Sequence, residues 1–192
     1  MVRSGQTARG ETQMCTPFNF EIFVKDRKGV SLLPLIENDA PPLYAAIRES
    51  GAHLTQYGDR TWAKYRTLES VFELTHFDRD DRTHYGIWDE ETLVGYIAIR
   101  LVPDEPPIIG YWVGVNFTRR GYAAAAVRAL TEEAFREYAP EVLAVVHPDN
   151  EASRRTLLRA GFLPDRYPHY DAIPGVSQMC FSRKARQEAV PG

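Results

Sequence analysis

The stretch that decides the fold lies between residues 109 and 164. Residues 109–135 read IGYWVGVNFTRRGYAAAAVRALTEEAF, and residues 143–164 read LAVVHPDNEASRRTLLRAGFLP. The first segment passes from a β-rich run through a polar loop into an alanine-rich helical pattern, and the second predicts a short apolar strand and a further helix. Because one helix separates the two strands, we expect them to be parallel.

The rest of the chain predicts an antiparallel framework around this unit. Runs rich in β-branched and aromatic residues predict strands at 18–24, 30–35, 84–88, 92–102, 108–115, 142–146, 162–163 and 176–182. Helical patterns are predicted over 38–49, 61–75, 122–139 and 150–160. The fold class that follows is α+β, with a mixed, mostly antiparallel central sheet flanked by helices.

Composition limits the function classes. The chain has 192 residues, a formal net charge of −3 and a pI near 6.0, which argues against a general nucleic-acid binder. No apolar run approaches the ~20 residues of a membrane span, and the N-terminus does not resemble a secretory signal. The two cysteines, Cys15 and Cys180, are too few and too far apart in sequence for a disulfide framework or a cysteine zinc site, so we expect a cytoplasmic protein without metal.

The length favours one domain. We expect a domain over 18–186, a flexible N-terminal extension over 1–17, which is polar and unpatterned, and a C-terminal tail over 187–192. The sequence does not distinguish a monomer from a homodimer.

The loop before the long helix is the first candidate site. A helix N-terminus offers unpaired backbone N–H groups and a positive dipole end, Gly121 permits close approach, and Arg119 and Arg120 add charge. Together they predict an anion site suited to a pyrophosphate. Alternatively, Gly121 only shapes the turn and the arginines are solvated. No Walker, dinucleotide-binding or H-E-x-x-H motif occurs.

The start of the following helix is the second candidate site. Asn150 and Ser153 lie three residues apart, on one face, beside the end of the short strand. Both side chains can point past the helix end toward a ligand. They can equally cap the helix, with Asn150 as the N-cap residue.

The combination of these segments resembles the GCN5-related N-acetyltransferase (GNAT) superfamily, and within it the ribosomal-protein N-terminal acetyltransferase branch, which also contains small-molecule acetyltransferases. The N-x-x-S of Asn150 and Ser153, followed by Gly161-Phe162, is typical of that branch. The superfamily loop motif, Gln/Arg-x-x-Gly-x-Gly/Ala, corresponds here to Thr118–Ala123, with Thr in place of Gln/Arg. The resemblance covers 18–183 in element order and is sharpest over 109–164.

The resemblance implies transfer of acetyl from acetyl-CoA to a primary amine on a peptide or a small molecule, with acetyl-CoA as co-substrate. The pantetheine amides would pair with the strand end, a backbone N–H near Val113 would stabilise the oxyanion, and Ser153 would protonate the departing thiolate. The residues implied to bind the co-substrate are Trp112, Val113, Val115, Thr118, Arg119, Arg120, Gly121, Tyr122, Ala123, Asn150 and Ser153.

The resemblance also places the acceptor beside the second predicted helix. Glu69 and Glu73 are candidate bases there, although both could simply form an exposed helix face near Arg66. Further candidate bases are Asp59, His84 and His147. The acceptor pocket would draw on Tyr57, Trp62, Tyr65 and Trp88, with the loop 164–175 as a lid, although aromatic residues at helical spacing can also be core.

Two other hypotheses are compatible with the sequence. The departure at Thr118 and the uncertain base are compatible with a catalytically inactive, CoA-binding regulatory module on the same fold. A plain interaction domain without a co-substrate is the third. We expect neither nucleic acid nor membrane as a partner.

Overall fold

The computed structural model describes residues 21–57, 61–75, 82–166 and 178–185, and these form an eight-stranded sheet flanked by helices. The strands are β1 (Ile22–Phe23), β2 (Val30–Pro34), β3 (Arg82–Asp89), β4 (Thr92–Arg100), β5 (Ile108–Val113), β6 (Glu141–Val146), β7 (Leu163–Asp165) and β8 (Met179–Lys184). Their spatial order is β1-β2-β3-β4-β5-β6-β8-β7. Among the described strands, β5 and β6 alone pair in parallel, so the predicted class and the predicted parallel pair are confirmed.

The helices divide between the two sheet faces. They are α1 (Ala40–Glu49), α2 (Gly51–Thr55), α3 (Thr61–Lys64), α4 (Leu68–Thr75), α5 (Tyr122–Glu137) and α6 (Glu151–Arg159). The α5 and α6 side includes Leu130, Leu157 and Phe162 in its buried core. The α1 to α4 side has a separate core that includes Leu43, Val71 and Trp112.

The predicted single helix over 61–75 was wrong. It is divided into α3 and α4, because Thr67 and Ser70 start a new helix between them. The Ser70 N–H donates to the Thr67 hydroxyl and the Thr67 N–H donates to the Ser70 hydroxyl, each at 3.2 Å. This reciprocal cap gives partners to backbone N–H groups at the start of α4, which in a continuous helix would donate to carbonyls of the preceding turn. The short helix α2 was not predicted.

The β5–β6 pair positions the candidate site. The two strands pair only through Ile108 with Leu143 and Ile109 with Ala144. Beyond that point β5 runs on to Val113 against β4, and β6 runs on to Val146 against β8. Within the described part of the chain, the facing edges of 110–113 and 145–146 have no strand partner between them. The parallel pair therefore opens into a gap at its carboxyl end.

Several predicted features lie outside the described residues: the extension 1–17, the tail 187–192, Asp59 and most of the predicted lid. No helix in the part that the structure describes is long and apolar enough to cross a membrane.

Candidate active site

The gap between β5 and β6 offers both space and backbone hydrogen-bonding groups. No strand pairs with the β6-facing edge of β5 past Ile109 among the described residues, and a side chain added at Gly110 would meet no atom within 4 Å, so the sheet face there is open as well. Unpaired strand edges present N–H and C=O groups to whatever approaches them. An extended arm that carries amides could therefore bind along residues 110–113.

The N-terminus of α5 lies at the end of the chain segment that leaves β5. The loop contains two left-handed residues, Arg119 at φ 60° and Gly121 at φ 86°. Glycine adopts this conformation at little cost, and Gly121 stands as the N-cap of α5 without a side-chain cap. The first-turn N–H groups of a sixteen-residue helix are thus left for another partner.

The beginning of this loop is tied to α1. The Val115 N–H donates to the buried Ser50 hydroxyl at 3.1 Å, and the Asn116 amide donates to Glu49 at 2.6 Å. The Thr118 hydroxyl donates to the Val115 carbonyl at 3.1 Å. Both backbone groups of Val115 are thus engaged within the protein, whereas the edge of 110–113 that faces away from β4 has no strand partner among the described residues.

The end of the loop is held by the β1–β2 turn. The Arg27 guanidinium donates to the Arg120 carbonyl and lies 3.9 Å from the centre of the Tyr122 ring. The Tyr122 hydroxyl in turn donates to the Asp89 carboxylate. This bond to Asp89 is the main cause that raises the pKa of Tyr122 above its ordinary value. Arg119 and Arg120 are exposed beside this contact.

Asn150 and Ser153 lie beside the end of β6, and Asn150 does cap α6. Its side-chain oxygen accepts the Ser153 N–H at 3.0 Å. This bond uses the amide oxygen of Asn150 and the backbone of Ser153. The Asn150 NH₂ and the Ser153 hydroxyl do not take part in it, so capping and ligand binding are compatible at these two residues.

Tyr111 connects β5 to the first turn of α6. Its hydroxyl donates to the Ser153 carbonyl at 3.1 Å. Burial raises the pKa of Tyr111, and hydrogen bonds with Ser153 and Thr156 oppose part of that rise. A neutral, half-buried phenol therefore holds Ser153 next to β5, where the strand has left β6.

Three aromatic rings lie in a row on the other sheet face. Tyr96 stacks with Trp112 of β5 at 6.0 Å between ring centres and with His84 of β3 at 5.9 Å. The Tyr96 hydroxyl and His84 Nδ1 share a hydrogen bond of 2.5 Å. The row thus links a titratable imidazole to the strand that borders the gap.

The predicted acceptor residues occupy different places. Tyr57, just after α2, lies against His147 just after β6, with the two rings tilted and their centres 5.9 Å apart. Trp62 packs on Gly51, and Tyr65 is a core residue with 9% exposure. Trp88 lies over Gly86, and its indole N–H is buried without a hydrogen-bond partner among the described residues. Of these four residues, Tyr57 is the one that contacts the end of β6.

Glu69 and Glu73, the two glutamates predicted as general bases, lie one turn apart on α4 and are both exposed. Their separation is the i, i+4 spacing that puts two side chains on one helix face. They can form an acidic patch that attracts a protonated amine. No cluster of three metal-ligating side chains occurs among the described residues.

Four residues that hold the site were not predicted from the sequence: Arg27, Ser50, Tyr96 and Tyr111. Each acts through a contact with a residue distant in the chain, such as Ser50 with Val115 or Arg27 with Arg120. An arginine in a charged turn and a serine at a helix end are common on any surface. Local sequence therefore carries no signal for these roles.

Comparison with known proteins agrees with this geometry. Residues 30–163 match the acetyltransferase (GNAT) domain family, which covers the gap, the α5 N-terminus and the start of α6. No curated protein matches the chain. The matched region includes every described element from β2 to the start of β7.

Several solved structures share the fold. The microcin C7 self-immunity acetyltransferase MccE, in complex with acetyl-CoA and AMP, is 20% identical over 84% of this chain and 95% of its own, with a TM-score of 0.72. The Salmonella typhimurium acetyltransferase that modifies the N-terminal serine of ribosomal protein L7/L12 is 20% identical over 87% of this chain and 100% of its own, with a TM-score of 0.72. A Vibrio cholerae protein described as a ribosomal-protein-serine acetyltransferase is 23% identical over 87% of this chain and 98% of its own, with a TM-score of 0.69.

At these identities the likenesses establish the fold, while the family match extends over more than half of the chain. Together with the open β5–β6 gap and the uncapped α5 N-terminus, the match leads to one conclusion. This chain belongs to the GNAT acetyltransferase family and is an acetyl-CoA-dependent N-acetyltransferase.

Proposed function

We propose that this protein acetylates the N-terminal amine of a peptide or protein chain. The separation of β5 from β6 after Ile109 and Ala144, next to Ser153, is the observation that supports binding of the acetyl donor. Solved neighbours whose names state an N-terminal or ribosomal-protein substrate favour a peptide acceptor over a free small amine.

The residues present suit a CoA thioester. The open edge at 110–113 provides strand-like partners for the two amides of pantetheine. The N-cap Gly121, the first turn of α5 and the exposed Arg119 and Arg120 suit the diphosphate. Asn150 offers its NH₂ group to a carbonyl of the arm while its oxygen remains in the cap.

Acetyl-CoA supplies an acyl carbon activated as a thioester. Transfer forms a carbon–nitrogen bond and breaks the carbon–sulfur bond, and the protein must remove a proton from the amine and supply one to the sulfur. A backbone N–H near Val113 stabilises the developing oxyanion. The Ser153 hydroxyl, held by Tyr111 and by the α6 cap, delivers the proton to sulfur.

The described candidates for the role of base are Glu69, Glu73, His84 and His147, and Nδ1 of His147 already accepts the Asp149 N–H at 3.2 Å. His84 is half-buried, and its contacts lead through Tyr96 to Trp112 on β5. Glu69 and Glu73 lie on the exposed face of α4, where a base would be fully hydrated. His84 is therefore the base that the contacts favour, and the two glutamates draw the cationic amine toward the site.

The experiment is a turnover screen that follows release of the CoA thiol. Short peptides with a free N-terminus are compared with the same peptides blocked at the N-terminus but carrying an internal lysine. Polyamines, aminoglycosides and free amino acids form the second arm. We expect turnover with the free peptides and none with the blocked ones.

Turnover of small amines with none on any free peptide would refute the peptide acceptor. Binding of CoA without turnover on any amine would refute acetyl transfer itself and would instead support the regulatory-module hypothesis.

A further inference from the structure

The β1–β2 turn contributes one side chain to the proposed donor site. Arg27 lies between the two strands at the end of the sheet, and its guanidinium donates to the carbonyl of Arg120, 93 residues away in the chain. A side chain added at Gly121 would come within 3.5 Å of Arg27 Nη1, so the guanidinium lies directly against the N-cap of α5.

We infer that Arg27 is a positioning residue for coenzyme A, which it serves by fixing the orientation of the peptide bond between Arg120 and Gly121. This inference rests on the proposed donor site at the α5 N-terminus and adds to it a residue outside the loop.

The argument begins with the geometry of that peptide bond. No described peptide bond is cis, so the Arg120 carbonyl and the Gly121 N–H point in opposite directions. Because Arg27 binds the carbonyl, it turns the negative oxygen toward the hairpin. The Gly121 N–H then points away from the hairpin and is available to an anion.

The loop needs such an external hold. Arg119 and Gly121 both have left-handed backbone conformations. Glycine has no Cβ, so φ and ψ at position 121 are less restricted than they would be for any other residue type. The peptide plane between Arg120 and Gly121 can rotate through ψ of Arg120 and φ of Gly121 so that its carbonyl faces the site. A carbonyl oxygen in that position would repel a diphosphate, whereas the bond to Arg27 opposes this rotation.

The surroundings of Arg27 also favour an anionic ligand. Its guanidinium stacks on Tyr122 and lies at the positive end of the α5 dipole, close to Arg119 and Arg120. The two nearby carboxylates have other partners than Arg27: Asp26 pairs with Arg128 at 2.8 Å, and Asp89 accepts a hydrogen bond from Tyr122. A diphosphate would compensate the positive charge gathered there.

The experiment measures the affinity of the full chain for CoA and for pantetheine, which lacks the nucleotide phosphates. Arg27→Ala and Arg27→Lys are compared with the unaltered protein by calorimetry. Lys28→Ala is the matched control, because it removes one positive charge from the next residue of the same turn, where the side chain is exposed. Pantetheine binding reports that each variant retains a folded gap.

We expect Arg27→Ala to weaken CoA binding about tenfold, the scale of one charge-assisted hydrogen bond, and to leave pantetheine binding unchanged. Arg27→Lys should also weaken it, because a lysine cannot stack on Tyr122 and donate to the carbonyl in the same planar arrangement. Lys28→Ala should bind both ligands as the unaltered protein does.

Three results would overturn the inference. Equal CoA affinity in Arg27→Ala would show that the contact does not matter, and full affinity in Arg27→Lys would show that charge alone suffices. An equal loss in Lys28→Ala would point to general attraction. If the unaltered protein bound no CoA, the donor site itself would fail, a result distinct from these.

Discussion

The hydroxyl of Tyr111 on β5 donates to the carbonyl oxygen of Ser153 on α6, at 3.1 Å. This bond joins the two elements where β5 and β6 have separated, so it holds the proposed proton donor beside the gap without filling the gap with strand pairing.

Removal of the Tyr111 hydroxyl should loosen Ser153. We expect Tyr111→Phe to lower the free energy of unfolding by about 1 kcal/mol, because a half-buried hydrogen bond to the Ser153 carbonyl is lost. It should also lower kcat more than KM for acetyl-CoA. Tyr44→Phe is the matched control, since the Tyr44 hydroxyl donates to the Arg66 carbonyl at 3.2 Å. Equal kinetic effects of both variants would contradict a positioning role.

Ser153 itself can be altered without loss of its cap. Because Asn150 binds the Ser153 backbone N–H, Ser153→Ala should melt at nearly the same temperature as the unaltered protein. Its kcat should fall about a hundredfold, the usual scale of one general acid, with CoA affinity retained. Unchanged kcat would rule out proton delivery by this hydroxyl.

Asn150 allows its two roles to be separated. Asn150→Asp keeps the oxygen that caps α6 and adds a favourable charge at a helix N-terminus, but it loses the NH₂ donor. Asn150→Ala loses both and should cost about 1 kcal/mol of stability. We expect Asn150→Asp to be stable and yet to bind CoA more weakly. If calorimetry shows full affinity in Asn150→Asp, the residue is a cap alone.

The base can be assigned by comparing three variants. We expect His84→Gln to lower kcat and flatten its dependence on pH, because the proton acceptor is removed while Tyr96 keeps a hydrogen-bond partner. Glu69→Gln and Glu73→Gln should raise KM for the acceptor with little change in kcat. His53→Gln, at an exposed position of α2, controls for loss of an imidazole. A reversed pattern would give the role of base to a glutamate.

Acid stability should depend on Asp165. Its carboxylate accepts from the Ser182 hydroxyl at 2.6 Å, which, with the Arg166 N–H, holds the pKa of Asp165 below its ordinary value of 3.8. A depressed folded pKa gives stability that is present above the unfolded value and is lost as pH falls through the folded one. Melting temperatures from pH 7 to 3 should therefore fall less in Asp165→Asn than in Glu105→Gln, an exposed loop control. Parallel curves would contradict this.

The α5–β6–α6 unit could be predicted because its signals are local. Gly121 at the start of α5, the apolar run of β6 and the Asn150 cap with Gly161 at the opposite end each mark a boundary through a nearby physical cause. Gly161 has φ 87°, as the position after a helix requires. The parallel pairing followed because a helix connects the two strands.

The remainder depended on long-range contacts. The division at Thr67 arose from a short reciprocal cap within an otherwise continuous apolar pattern. The ties from Ser50 to Val115 and from Arg27 to Arg120 span 65 and 93 residues. Helical spacing marked Trp62 and Tyr65 as one face, but it could not say whether that face met substrate or core, and the structure packs Tyr65 in the core.

The central claim is that coenzyme A lies in the gap between β5 and β6, and a structure of the protein crystallised with the coenzyme tests it most directly. We expect pantetheine amides hydrogen-bonded to the backbone of 110–113, the sulfur next to Ser153 and the diphosphate on the N–H groups from Gly121 to Ala123. Coenzyme bound elsewhere, or a gap closed by the protein's own side chains, would contradict the account.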